Sequence, residues 1–80
     1  MLVILILNGF RFFFYSNENN EPPHIHVSKG DGYAKFWLIP DIELVEYYSF
    51  KANEIKTAWN IATENKELFI TKWNEYFNRF

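Results

Sequence analysis

The residues best suited to chemistry lie in one short run, Glu21-Pro22-Pro23-His24-Ile25-His26-Val27. Side chains alternate across a strand, so His24 and His26, two residues apart, share a face. Imidazole titrates near neutrality and serves as proton carrier or metal ligand. One histidine could act as general base and the other as general acid, with Arg11 or Lys35 steadying charge on a phosphate. That is the set a metal-independent ribonuclease needs. The same pair could ligate a metal, with Glu18 or Glu21 of the preceding loop as oxygen ligand. His-x-His names only two ligands, so the expectation is no metal and no cofactor, with His24, His26 and Glu21 as the alternative set. A third use is a protein-binding surface anchored by Tyr15, Tyr33 and Trp37. Against all three stands an architectural reading. Imidazoles beside a Pro-Pro turn bond loop carbonyls that lack a ladder partner, Glu18 and Glu21 stay solvated, and Lys35 pairs with one of them at the surface.

The elements that must position these residues follow from hydrophobic period. Asn8-Gly9 between two apolar runs predicts a hairpin of residues 3–7 with 10–15, because both residues tolerate the positive φ of a type I′ turn. Residues 16–23 are polar and end in two prolines, which cannot donate to a ladder, so they predict a loop. Residues 24–28 and 33–39 read as strands around a Lys29-Gly30-Asp31-Gly32 turn. Pro40-Asp41 breaks the second of them, and residues 42–48 fit either a short strand or an irregular connection. Beyond Ser49 the period becomes helical, through Ile55, Ala58, Trp59 and Ala62, then Phe69, Trp73, Tyr76, Phe77 and Phe80. Helices are expected at about 52–64 and 66–79, with Asn65 capping the second and Glu67 favourable in its first turn.

The fold class is therefore α+β, a single domain over residues 1–80: an antiparallel β-meander of three to five strands, then two C-terminal helices packed on one face. Alternation puts Phe10, Phe12, Phe14, Ile25, Val27, Ala34, Phe36 and Leu38 toward the helices. The opposite face then carries Arg11, His24, His26 and Lys35, edged by Phe13, Tyr15, Tyr33 and Trp37.

Composition narrows the function classes. Eighty residues with no cysteine must rely on apolar burial, and the aromatic content of 21% supplies much of it. A core this small does not easily hide so many rings, so some should face a partner, a second copy or another small protein. The net charge of −2 gives no basic field for capturing nucleic acid, and any RNA contact must be local. The apolar run Leu2-Val3-Ile4-Leu5-Ile6-Leu7 is far shorter than the ~20 residues of a membrane span and reads as a buried strand. It also lacks the basic leader and cleavage site of a signal peptide. Absent cysteine fits a reducing compartment, and the expected location is the cytoplasm.

From Gly9 onward the chain resembles a bacterial family, domain of unknown function 4160. The resemblance runs through residues 9–18 (GFRFFFYSNE), 21–27 (EPPHIHV), 34–38 (AKFWL) and 69–77 (FITKWNEYF). It covers nearly the whole chain, and the PPHxHV run is specific. The resemblance implies a short protein, often encoded beside another small protein in an arrangement like a toxin–antitoxin pair. This chain would be one partner, in the toxin role. The family supplies no reaction, cofactor or catalytic residue. Many of its members carry a basic or polar residue in the first strand where this chain is wholly apolar, which makes a pairing partner more plausible.

Overall fold

A computed structural model describes residues 1–18 and 20–78 of the chain. Five strands form one antiparallel sheet in sequence order: β1 (Leu2–Leu7), β2 (Phe10–Phe14), β3 (His24–Lys29), β4 (Gly32–Trp37) and β5 (Glu43–Tyr48). Asn8 and Gly9 close the first hairpin with φ of 52° and 80°, the pair of positive angles that a type I′ turn requires. Residues 42–48, open between strand and connection, pair with β4 from Tyr33↔Tyr48 to Trp37↔Glu43. Pairing is what decides so short a segment, and it is a property of the neighbour rather than of the segment.

Helices α1 (Ala52–Glu64) and α2 (Lys66–Phe77) follow. They cover the sheet face carrying Phe10, Phe12, Phe14, Ile25, Val27, Ala34 and Phe36, all buried in one core with Ala58, Ile61, Ala62, Phe69 and Trp73. Aromatic pairs join the layers: Phe12 meets Phe69 with ring centroids 5.3 Å apart, and Phe14 meets Trp73 edge-on at the same separation. Phe50 enters beside Phe10 at 5.9 Å and lies against Gly32, where an added Cβ would overlap its ring.

Four sequence expectations change. The apolar first strand is the sheet's edge and is not fully buried: Val3, Ile6 and Leu7 are exposed, and among the described residues no strand pairs beyond β1. Asn65 begins α2 without a side-chain cap, since its amide donates back to the Ile61 carbonyl at 2.9 Å. Trp59 lies at the margin of the core, half in solvent, with its indole N–H donating to the Ile42 carbonyl at 3.1 Å. Helix α2 closes at Phe77, while residue 79 of the expected helix and Phe80 of the expected stripe lie outside the described residues.

Candidate functional site

The sheet face turned away from the helical core is ordered in rows across the strands, because directly paired residues share a face. One row reads Tyr48, Tyr33, Ser28, Arg11, Ile6, and the next Glu46, Lys35, His26, Phe13, Val3. A third joins Trp37 to His24. Antiparallel register thus seats His26 directly between Lys35 and Phe13. Tyr33 lies diagonally across from it because the Gly30-Asp31 turn sets Lys29 opposite Gly32.

The loop between β2 and β3 folds over these rows and brings Glu18 onto both imidazoles. Oε1 of Glu18 lies 2.5 Å from His26 Nε2 and 2.9 Å from His24 Nε2, while Oε2 accepts the Tyr15 N–H at 3.0 Å. The far ring nitrogens are held as well. Nδ1 of His24 donates to the Pro22 carbonyl at 2.8 Å, and Nδ1 of His26 is 2.7 Å from the Tyr33 hydroxyl. Phe13 and Tyr15 wall His26, with centroids at 5.4 and 4.6 Å. His24 keeps 1% of its surface in solvent and His26 4%. These are enclosed rings.

Proton affinities follow from this enclosure. Burial disfavours charge on His26 and holds its pKa below the ordinary 6.5, although the Glu18 carboxylate pulls the other way. Burial would raise the Glu18 carboxyl, but hydrogen bonds from His24 and His26 outweigh it, and its pKa falls below 4.5. Burial, then the Glu46 carboxylate, pushes the Tyr33 phenol well above 10, so it stays protonated and can donate to His26 Nδ1. Neutral His26 then carries its proton on Nε2, facing Glu18.

Several expected residues sit otherwise than their spacing suggested. His24 opens β3, where the ladder only begins to impose alternation, and its ring reaches Trp73 of α2 at 4.9 Å as well as Trp37 at 5.8 Å. Phe13 stays on the outward face yet is buried, with the Tyr15 and His26 rings packed against it. Glu21 is not at the imidazole edges that converge. Its carboxylate accepts from Lys35 at 2.7 Å, which depresses its pKa, and stands 3.8 Å from His24 Nδ1. Lys35 and His26 line a concavity of about 340 Å³ with Tyr15, Asn17, Glu18, Asn20 and Glu21. Arg11 lines another, of about 190 Å³, with Lys29 and Ser28 at the other end of the sheet. Arg11 and the histidines therefore do not open onto one pocket. Tyr33 and Trp37 are half-buried, and Tyr15 alone of the three expected anchors is exposed.

Two contributions escaped the sequence. The Tyr33 hydroxyl partner could be found by fixing the turn and counting diagonally from His26. Nothing local announces that Trp73, 49 residues downstream of His24, closes the back of the site.

Among protein families, one described as a domain of unknown function (DUF4160) matches residues 9–74. The chain belongs to that family. The matched span holds both histidines, Glu18, Tyr33 and Lys35, and ends one residue beyond Trp73. Neither a curated protein nor a solved structure matches the chain.

Proposed function

We propose that this chain is one half of a two-chain module of the toxin–antitoxin kind and acts by binding a small protein partner along the free edge of β1. The observation that carries the reading is the state of that edge. Its sequence is Leu-Val-Ile-Leu-Ile-Leu, its outer ladder is unpaired among the described residues, and Val3 and Ile6 stand 45% and 61% exposed. Edge strands are ordinarily guarded by charge, proline or bulges against pairing with other chains. Strand β1 has a register irregularity between Val3 and Leu5 but no charged side chain, whereas the opposite edge, β5, carries Glu43 and Glu46. A partner strand added here would satisfy the backbone groups and cover the aliphatic side chains.

Co-expression with the product of the adjacent gene tests this. The expected result is a complex that survives gel filtration and is lost in the Val3→Lys/Ile6→Lys double variant, whose melting temperature stays near that of the parent. A complex indifferent to both lysines rules out the edge, and growth unaffected by either chain alone rules out the module.

One observation favours a second reading, RNA cleavage. His26 and Lys35 are cross-strand partners and open onto the same concavity. Weighing against it, both Nε2 atoms are engaged by Glu18, and Arg11 lines a different concavity. Intact cellular RNA on overexpression excludes it. So does equal toxicity of a folded His24→Ala/His26→Ala variant.

A further inference from the structure

We propose that His24, His26 and Glu18 form a binding site for a divalent transition-metal ion of the zinc class, with its remaining coordination position open to the concavity beside Lys35. The three donor atoms lie within 4.8 Å of one another. They come from two adjacent outward positions of β3 and from the loop that closes over it.

The argument is one of lone pairs. A carbonyl oxygen only accepts, so Nδ1 of His24 must hold a proton to bond Pro22. In the neutral ring that leaves Nε2 as a bare lone pair, 2.9 Å from an oxygen of the Glu18 carboxylate. Two acceptors in such contact need a positive centre between them, a second proton or a metal ion. His26 Nε2 faces the same oxygen, so one centre would serve all three donors once the His26 ring proton shifts from Nε2 to Nδ1. There the Tyr33 hydroxyl turns from donor to acceptor, so that both far nitrogens donate, one to a backbone carbonyl and one to a phenol oxygen, as ligating histidines ordinarily do.

Two histidines and one carboxylate are three protein ligands, the number that leaves zinc an exchangeable position. The concavity against Glu18 and His26 gives that position an outlet, and the Lys35 ammonium across it would favour an anionic fourth ligand. Metal bonds of ~2.0–2.1 Å at tetrahedral angles set the donors roughly 3.3 Å apart, so Glu18 must withdraw slightly to admit an ion. It stands on a loop, and its carboxylate bonds the backbone through the Tyr15 N–H on the other oxygen, so Oε1 can do so.

The test is titration of chelator-stripped protein with zinc alone and with cobalt(II) alone. The expected results are one ion per chain, visible cobalt bands of a four-coordinate nitrogen–oxygen site bleached by zinc, and a coordination shift of ¹⁵N at Nε2 of both His24 and His26 in the unaltered protein. Glu18→Gln should weaken binding at least tenfold, and Tyr33→Phe, which removes only the hydroxyl behind His26, about tenfold. Folded protein that takes up no stoichiometric ion overturns the proposal. So does uptake that leaves both imidazole signals unmoved, or a folded Glu18→Gln variant that binds as tightly as the parent.

Discussion

A single carboxylate oxygen, Oε1 of Glu18, touches both imidazoles, so one side chain ties the β2–β3 loop to the sheet. Replacing it by alanine leaves the buried His26 Nε2–H without an acceptor, at about 1–3 kcal/mol for an unsatisfied buried group. Glu18→Ala should therefore lower stability by about 1–3 kcal/mol in urea titrations. Glu21→Ala, which removes an exposed partner of Lys35, should barely move the midpoint. The same cluster sets the acid limit. The folded-state pKa of His26 lies below 6.5, so on acidification the unfolded chain takes up a proton first, and stability declines from about that pH downward. Glu18, also depressed, adds a further loss as pH falls below 4.5 toward its folded value. Urea midpoints at a series of pH values should fall monotonically from neutrality toward pH 4, and a midpoint that rises on acidification contradicts the assignment of a neutral, buried His26. The sequence was informative here only in part. Strand alternation identified His26 and Lys35 as neighbours on one face. It could not tell Glu18 from Glu21, since both lie in a polar loop whose path is set by long-range closure onto the imidazoles.

Strands and turns were legible where the chain carries a local instruction. Asn8-Gly9 and Gly30-Asp31 specify tight turns, and period-two alternation then fixes each face. Joints were legible only where local and tertiary demands agree. Asn65 looks like a helix cap, yet its amide bonds the carbonyl of Ile61 in the preceding turn, leaving α2 to start by backbone geometry alone. Gly32 is the converse case. It reads as an ordinary turn residue, but its missing Cβ is what lets the Phe50 ring close the core against β4. Gly32→Ala must displace that ring or shift β4 and should cost about 1–3 kcal/mol, as overpacking does. A Phe50→Leu change in the same chain should recover part of the loss, and a double variant no more stable than Gly32→Ala alone would place the strain elsewhere.

In the molecule as a whole, the helical layer and the site are one structure joined at Trp73. Its indole packs against Phe14 and Phe77 on the core side, at 5.3 and 4.3 Å, and against the His24 ring at 4.9 Å on the other. No described helix is long and apolar enough to cross a membrane, and α2 earns its position through such contacts. Folded domains hold only ~0.05–0.15 kcal/mol per residue, and cutting a buried tryptophan to alanine costs about 3–5 kcal/mol, so Trp73→Ala would threaten the fold. Trp73→Phe keeps an apolar ring while altering the surface His24 rests on. The ¹⁵N resonances of His24 should then move while those of His26, walled by Phe13, Tyr15 and Tyr33, move less. Trp59→Phe, at the margin of the core and bonded to the Ile42 carbonyl, serves as control and should leave both imidazoles unchanged. If Trp59→Phe perturbs His24 as strongly as Trp73→Phe does, the site senses the helices through general loosening. A response confined to Trp73→Phe means that docking of α2 is read directly by the histidine at the start of β3.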